Sequence, residues 1–220
     1  MVDDERRNDV EDELRRQAKK SFDTGMTAFH RGDYSEALSA LDDALELCQD
    51  ISGSECGQAD CLHSSGIVLG EMGDLREALG CYEQALVLYR EVPGNECGQA
   101  NCLYNSGVAL GGLGDSRGAS ECYERALILF QGVPDSECVQ AECLFNRGAM
   151  LNELGDWWGA LGCFERSLTL FQGVPGSERE QADCLYGSGA TLSELGDYWE
   201  ALGYFGRALV LLGKGVVEAA

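Results

Sequence analysis

The dipeptide Gly-Asp recurs at Gly32-Asp33, Gly73-Asp74, Gly114-Asp115, Gly155-Asp156 and Gly196-Asp197, 41 residues apart each time. Five matches at one interval limit the fold more than any other feature of the chain. Each copy must be one supersecondary unit, and no copy can bury its apolar face alone. The surrounding text repeats with it, as in GEMGDLREALGCYEQAL and SELGDYWEALGYFGRAL. A second block lies upstream of each later turn: QADCLHSSG, QANCLYNSG, QAECLFNRG and QADCLYGSG.

Each copy reads as two helices. Leu62, Gly66, Leu69 and Met72 fall at intervals of three and four, which predicts an amphipathic first helix. Gly73 can end it in the left-handed conformation, and Asp74 can cap the next helix. Ala78, Tyr82, Ala85, Leu86 and Tyr89 give the second helix its apolar face. The small alanines allow close approach, and the tyrosine fills the space beside them. Val92-Pro93, Val133-Pro134 and Val174-Pro175 should stop the second helices. Asn95, Ser136 and Ser177 should cap the first helices that follow, Ser177 with Glu180 at capping-box spacing.

These residues resemble the tetratricopeptide repeat. Gly66, Gly73-Asp74, Ala78, Tyr82 and Ala85 stand as in that motif, and three further copies follow, with Ser167 replacing one alanine. Residues 18–50 form a divergent first copy, with Gly25, Ala37, Leu41 and Ala44. The copies are placed at about 18–50, 59–92, 100–133, 141–174 and 182–213. The resemblance implies an all-α, right-handed superhelical solenoid of five antiparallel helix pairs over residues 14–213. A charged overhang (1–13) and a tail (214–220) would flank it. The usual unit has about 34 residues. Seven more are present here, and the late proline predicts a lengthened second helix. The longer unit resembles the repeats of kinesin light chains and of Leu-Gly-Asn-repeat polarity adaptors, both peptide-binding scaffolds.

The resemblance also implies a groove, because first helices line the concave side of such a stack. Its inner face should show His63, Tyr104, Phe145 and Tyr186, flanked by Asp60, Asn101, Glu142 and Asp183. Ser64, Asn105, Asn146 and Gly187 come next. An asparagine amide there can pair with an extended peptide backbone through its donor and its acceptor. Only Asn105 and Asn146 keep that identity, so they mark the expected centre of grip. Members that clamp a terminal carboxylate use cations, which Phe22, Met26, Ser64, Asn101 and Asn105 do not supply.

Charge narrows the partner. The 220 residues carry 38 acids against 16 bases, a net charge of −22. Six of the bases lie in residues 1–20, and Lys214 is the only lysine after Lys20. Such a surface repels nucleic-acid backbones and anionic membranes, and favours basic segments with some apolar side chains. No apolar run reaches the length of a membrane span, and Val2 to Lys20 holds no signal-peptide core. A cytoplasmic protein is expected.

The eleven cysteines follow the repeat, apart from Cys48. Equivalent cysteines in neighbouring pairs should lie about 10 Å apart, too far for a disulfide. No Cys-x-x-Cys pair exists and only two histidines are present, which argues against a metal site. The cysteines read as small packing residues. His30 should be on the surface. One of the adjacent Trp157 and Trp158 should be exposed, because neighbours on a helix point apart. No catalytic constellation emerges and no cofactor is expected.

The expected function is therefore a non-enzymatic protein–protein interaction scaffold with a concave groove for an extended basic and apolar peptide. Two alternatives stand beside it. One is a regulatory sensor whose ligand changes the curvature. The other is a self-assembling module, a possible homo-oligomer through Phe205, Leu209 and Leu212. In that reading Gly213-Lys214-Gly215 breaks the last helix and leaves them uncovered.

Overall fold

The computed structural model describes residues 2–218, with side chains from 9 to 213. The described residues form ten helices and no strand. They are α1 (Val2–His30), α2 (Tyr34–Gln49), α3 (Glu55–Met72), α4 (Leu75–Glu91), α5 (Glu96–Gly112), α6 (Ser116–Phe130), α7 (Glu137–Glu153), α8 (Trp157–Phe171), α9 (Glu178–Glu194) and α10 (Tyr198–Glu218). This is the all-α helix-pair architecture of a tetratricopeptide-type solenoid. The chain divides into two compact units at Leu113/Gly114. In the first, α1 to α5 pack in sequence order, with α3 also touching α1 and α5. In the second, α6 to α10 do the same, and α7 touches α9.

The Gly-Asp turns behave as their chemistry dictates. Gly73 and Gly155 take φ of 87° and 77°, which a side chain would resist. The carboxylates of Asp33, Asp115, Asp156 and Asp197 each accept from the backbone N–H three residues on. Asp74 occupies the same position without that bond.

Aromatic rings on the second helices lie over glycines of the first. A Cβ on Gly66 would stand 2.5 Å from the Tyr82 ring, and one on Gly189 would stand 2.7 Å from Phe205. Tyr82 is 4% exposed and joins Ala59, Ala78, Ala85, Tyr89 and Cys102 in the first unit's core. In the second unit Ala141, Leu168, Phe171, Ala182, Cys184 and Leu185 form the matching cluster. Ser167 is fully buried, and its hydroxyl donates to Ala141 O at 2.7 Å.

Several boundaries differ from expectation. α4 does run long, to Glu91, but α6 and α8 end at Phe130 and Phe171. Gly132 and Gly173 follow those ends, where α4 has Glu91, and glycine weakens a final turn. The first helices begin at Glu55, Glu96, Glu137 and Glu178, about one turn before the repeat blocks at 59, 100, 141 and 182. Part of the added length therefore sits in the first helices. α1 starts at Val2, and its overhang is tethered: the Ser52 hydroxyl donates to Glu11, and Arg15 donates to Ser52 O at 3.1 Å. α10 continues through Gly213-Lys214-Gly215 to Glu218, because two glycines at about 1 kcal/mol each weaken a helix without stopping it. Residues 219–220 of the expected tail lie outside the described residues.

Asn95, Ser136 and Ser177 stand at the expected N-cap positions, and Ser54 at the equivalent one, yet no side chain of the four caps its own helix; the three serines bond elsewhere. Their hydroxyls point backward. Ser136 Oγ lies 2.7 Å from Phe130 O and 2.6 Å from Val133 O; Ser177 Oγ lies 2.5 Å from Phe171 O and 2.8 Å from Val174 O. One hydroxyl proton is shared between two carbonyls in each case. Gln140 and Gln181 add a donor to the same Phe130 and Phe171 carbonyls and to the same serines. The capping box of Ser177 with Glu180 does not form, because that hydroxyl already seals the preceding helix.

Candidate functional site

The expected groove residues fall in both units, and each unit presents its own set. In the first, Asp60 is exposed on α3, and Tyr89 of α4 donates its hydroxyl to Asp60 Oδ1 at 2.5 Å. Burial and that carboxylate push the Tyr89 phenol well above its usual range. One helical turn on, His63 is half-buried against the Tyr82 ring, centroids 5.8 Å apart. Burial lowers its pKa more than Asp60 raises it, so the imidazole is held neutral. Asn105 Nδ2, on α5, lies 2.9 Å from His63 Nε2, and the neutral ring accepts that proton. The Asn105 amide thus spends one donor inside the protein and keeps its oxygen for another partner. Asn101 and Tyr104 are half-exposed beside it. Ser64 is not part of this surface: it is 7% exposed, turned into the core.

In the second unit Glu142, Phe145 and Asn146 are half-exposed on α7, while Asp183 and Tyr186 are exposed on α9. Phe145 rests edge-on against Phe164 at 5.5 Å, and Tyr186 against Phe205 at 5.4 Å. These first-helix aromatics pack against the rings of the second helices. Tyr186 is 64% exposed, the most open of them.

Sequence reasoning passed over Arg147, which stands where Ser65, Ser106 and Ser188 stand in other copies. Its guanidinium reaches Glu124 of α6 at 3.1 Å, and its Nε is buried with no partner. The break in the repeated serine was the available signal.

The other singled-out residues sort by exposure. His30 is exposed, with Nδ1 2.6 Å from Met26 O. Both Trp157 and Trp158 are exposed, at 37% and 72%, and Trp199 is 86% exposed. On α10, Phe205 is half-buried under Tyr186, while Leu209 and Leu212 are open at 69% and 47%. All eleven cysteines are free thiols. Cys61, Cys102, Cys143 and Cys184 are buried, and burial pushes Cys61 up to about 12. Cys97 and Cys138 are exposed, so packing does not describe them. Among the described residues no helix is long and apolar enough to cross a membrane.

Comparison with known proteins agrees with this geometry. The family model for the tetratricopeptide repeat matches residues 23–91, 62–131 and 140–212. Among solved structures, the apo form of RapI superposes with a TM-score of 0.81 at 20% identity, over 90% of this chain and 71% of that one. BtubC from P. vanneervenii gives 0.77 at 20% identity, over 91% of each chain. The putative kinesin light chain TPR-like repeats of Podospora anserina give 0.72 at 15% identity, over 93% and 97%. At such identities the likeness is one of fold. No curated protein matches the sequence.

Proposed function

Because the chain belongs to the tetratricopeptide repeat family, a family of protein–protein interaction scaffolds, we propose that its first helices hold an extended peptide carrying Arg or Lys and apolar side chains. The observation that carries this reading is the pairing of an exposed acid with a ring on α3 and on α9. Asp60 lies one turn from His63, and Asp183 stands next but two to Tyr186 on α9. Carboxylates attract the cationic side chains, and rings backed by a second ring offer contact area with little loss of side-chain freedom. The surplus of acids over the whole chain acts in the same sense.

An array of basic and apolar peptides, probed with the intact chain and with an Asn105→Ala/Asn146→Ala variant, tests it. Selected peptides should bind the variant about tenfold more weakly while its melting temperature stays within a few degrees. Undiminished binding by the folded variant would reject those two asparagines as the gripping pair.

A second reading has its own observation. Leu168 and Phe171 on α8 are 7% and 3% exposed, while their counterparts on α10, Leu209 and Leu212, are 69% and 47% exposed. A helix covering them would gain about 1.5–3 kcal/mol per side chain. Self-association through this face predicts a dimer in light scattering that Leu209→Glu abolishes. A strict monomer at high concentration removes this reading.

A further inference from the structure

One of the core differences between the first helix pair and the second opens a space. In the second pair Tyr89 lies on Gly98, 4% exposed, with its hydroxyl on Asp60. The counterparts one repeat earlier are Cys48 for Tyr89, Gly57 for Gly98 and Lys19 for Asp60. The third and fourth copies also carry a ring there, Phe130 and Phe171 being 1% and 3% exposed, whereas the fifth has Leu212. Cys48 is thus the one member of the series 48, 89, 130 and 171 without a ring. The floor stays open to receive one, since the Cβ site of Gly57 has only the Cys48 sulfur near it, at 3.3 Å.

A cavity lies where the ring is missing. It is about 340 Å³, open to solvent, and bounded by α1, the end of α2 and the start of α3. Phe22, Ile51 and Cys48 give it an apolar floor, and Lys19 and Arg15 stand on its α1 side. Arg15 also donates to Ser52 O. Asp60 is the one carboxylate among the lining residues, and its Oδ1 already accepts the Tyr89 hydroxyl. The charged groups facing the cavity therefore sum to one positive charge, in a chain whose net charge is −22.

We propose that this cavity binds a small aromatic carboxylate. The two changes from the second pair define the ligand together. The loss of the ring leaves a slot for an aryl group. The replacement of a carboxylate by an ammonium means that the group on the ring must accept hydrogen bonds and carry negative charge. A phenol such as Tyr89 satisfies Asp60; an aryl acid satisfies Lys19. The volume lies at the lower end of the range for small-ligand pockets. The cavity shares Asp60 with the peptide-binding reading, but neither Asn105 nor Asn146 lines it, so the Asn105→Ala/Asn146→Ala variant probes that reading alone.

The test is calorimetric titration of the full chain with 3-phenylpropionate and with 3-phenylpropionamide, which has the same ring and no charge. The acid should bind and the amide should bind about tenfold more weakly. Cys48→Phe puts back the ring of the later copies; it should abolish binding of the acid and melt no lower than the parent. Lys19→Glu should remove the preference for acid over amide, and it serves as the second variant should Cys48→Phe misfold. Equal binding of acid and amide would overturn the proposal, and so would undiminished binding by folded Cys48→Phe. Absence of measurable binding of 3-phenylpropionate by the folded parent would overturn it as well.

Discussion

The turn between α4 and α5 and the turn between α8 and α9 do the same job with different chemistry. At the second, Ser177 is 4% exposed, and its hydroxyl bonds the carbonyls of Phe171, the last residue of α8, and of Val174 in the turn. Gln181 bonds that serine at 3.1 Å and Phe171 O at 3.2 Å. At the first, Asn95 replaces the serine and makes no bond to the α4 carbonyls; its Oδ1 accepts instead from the Cys56 thiol. Gln99 reaches Tyr89 O at 3.4 Å, beside the Val92 N–H at 3.3 Å. α4 then runs on to Glu91 and leaves through an extended Val92, with φ −108° and ψ 111°. Helix ends must satisfy their last carbonyls somewhere. Where the serine and Gly132 or Gly173 stand, the second helix stops at its ring residue; where Asn95 and Glu91 stand, it overruns it. The serine hydroxyl also ties the end of one pair to the start of the next, the joint through which a stack acquires its geometry.

The largest expected effect comes from breaking the stronger joint. Ser177→Ala takes the hydroxyl donor from the Val174 carbonyl, leaves the Phe171 carbonyl to Val174 N–H and Gln181, and removes that amide's second partner. It should cost about 1–3 kcal/mol in urea unfolding. Ser136→Ala should behave alike, because its bonds repeat those of Ser177. Asn95→Ala should cost less than about 0.5 kcal/mol, since nothing of this kind is lost there. Equal costs at the serine and asparagine positions would show that the hydroxyl lock contributes nothing.

The converse change is smaller. Asn95→Ser introduces the hydroxyl where Gln99 already stands, and should stabilise by about 1 kcal/mol. Amide exchange at the end of α4 should slow with it. A gain in stability with no change in exchange at residues 89–95 would locate the effect elsewhere.

The lock also shows what the sequence could and could not disclose. Gly-Asp turns and the small-residue faces were legible because their chemistry is local: a left-handed glycine, an Asx cap, an apolar stripe at helical spacing. The serines were placed at the right positions with the wrong partners. An N-cap bond spans three residues, whereas these hydroxyls reach carbonyls six residues back, and Gln181 reaches ten. Only the path of the turn makes such bonds short. The groove was legible in part for a related reason. Asp60, Asp183 and Tyr186 are exposed, but Ser64 rotates into the core, and Asn105 is already engaged by His63. Cys48 read as a residue outside the cysteine pattern. Set against 89, 130 and 171 it was legible as a missing ring, a signal that a reading by residue type passes over.

The smallest effect belongs to the turn between α6 and α7. Asp135 holds φ at 56°, where the equivalent Gly53, Gly94 and Gly176 hold 67°, 85° and 80°. The left-handed region costs an L-residue about 1–2 kcal/mol, less for aspartate, whose short side chain suits it. Asp135→Gly relieves that strain but gives the unfolded chain more freedom, which cancels part of the gain. The net should be a stabilisation of about 0.5 kcal/mol, read as a small rise in melting temperature with the Ser136 lock intact. The double variant Asp135→Gly/Ser136→Ala separates the two contributions. If the hydroxyl holds the turn against the aspartate's strain, the glycine should recover more stability in the Ser136→Ala background than in the parent. Additive effects would mean that the backbone strain and the lock act independently at this joint.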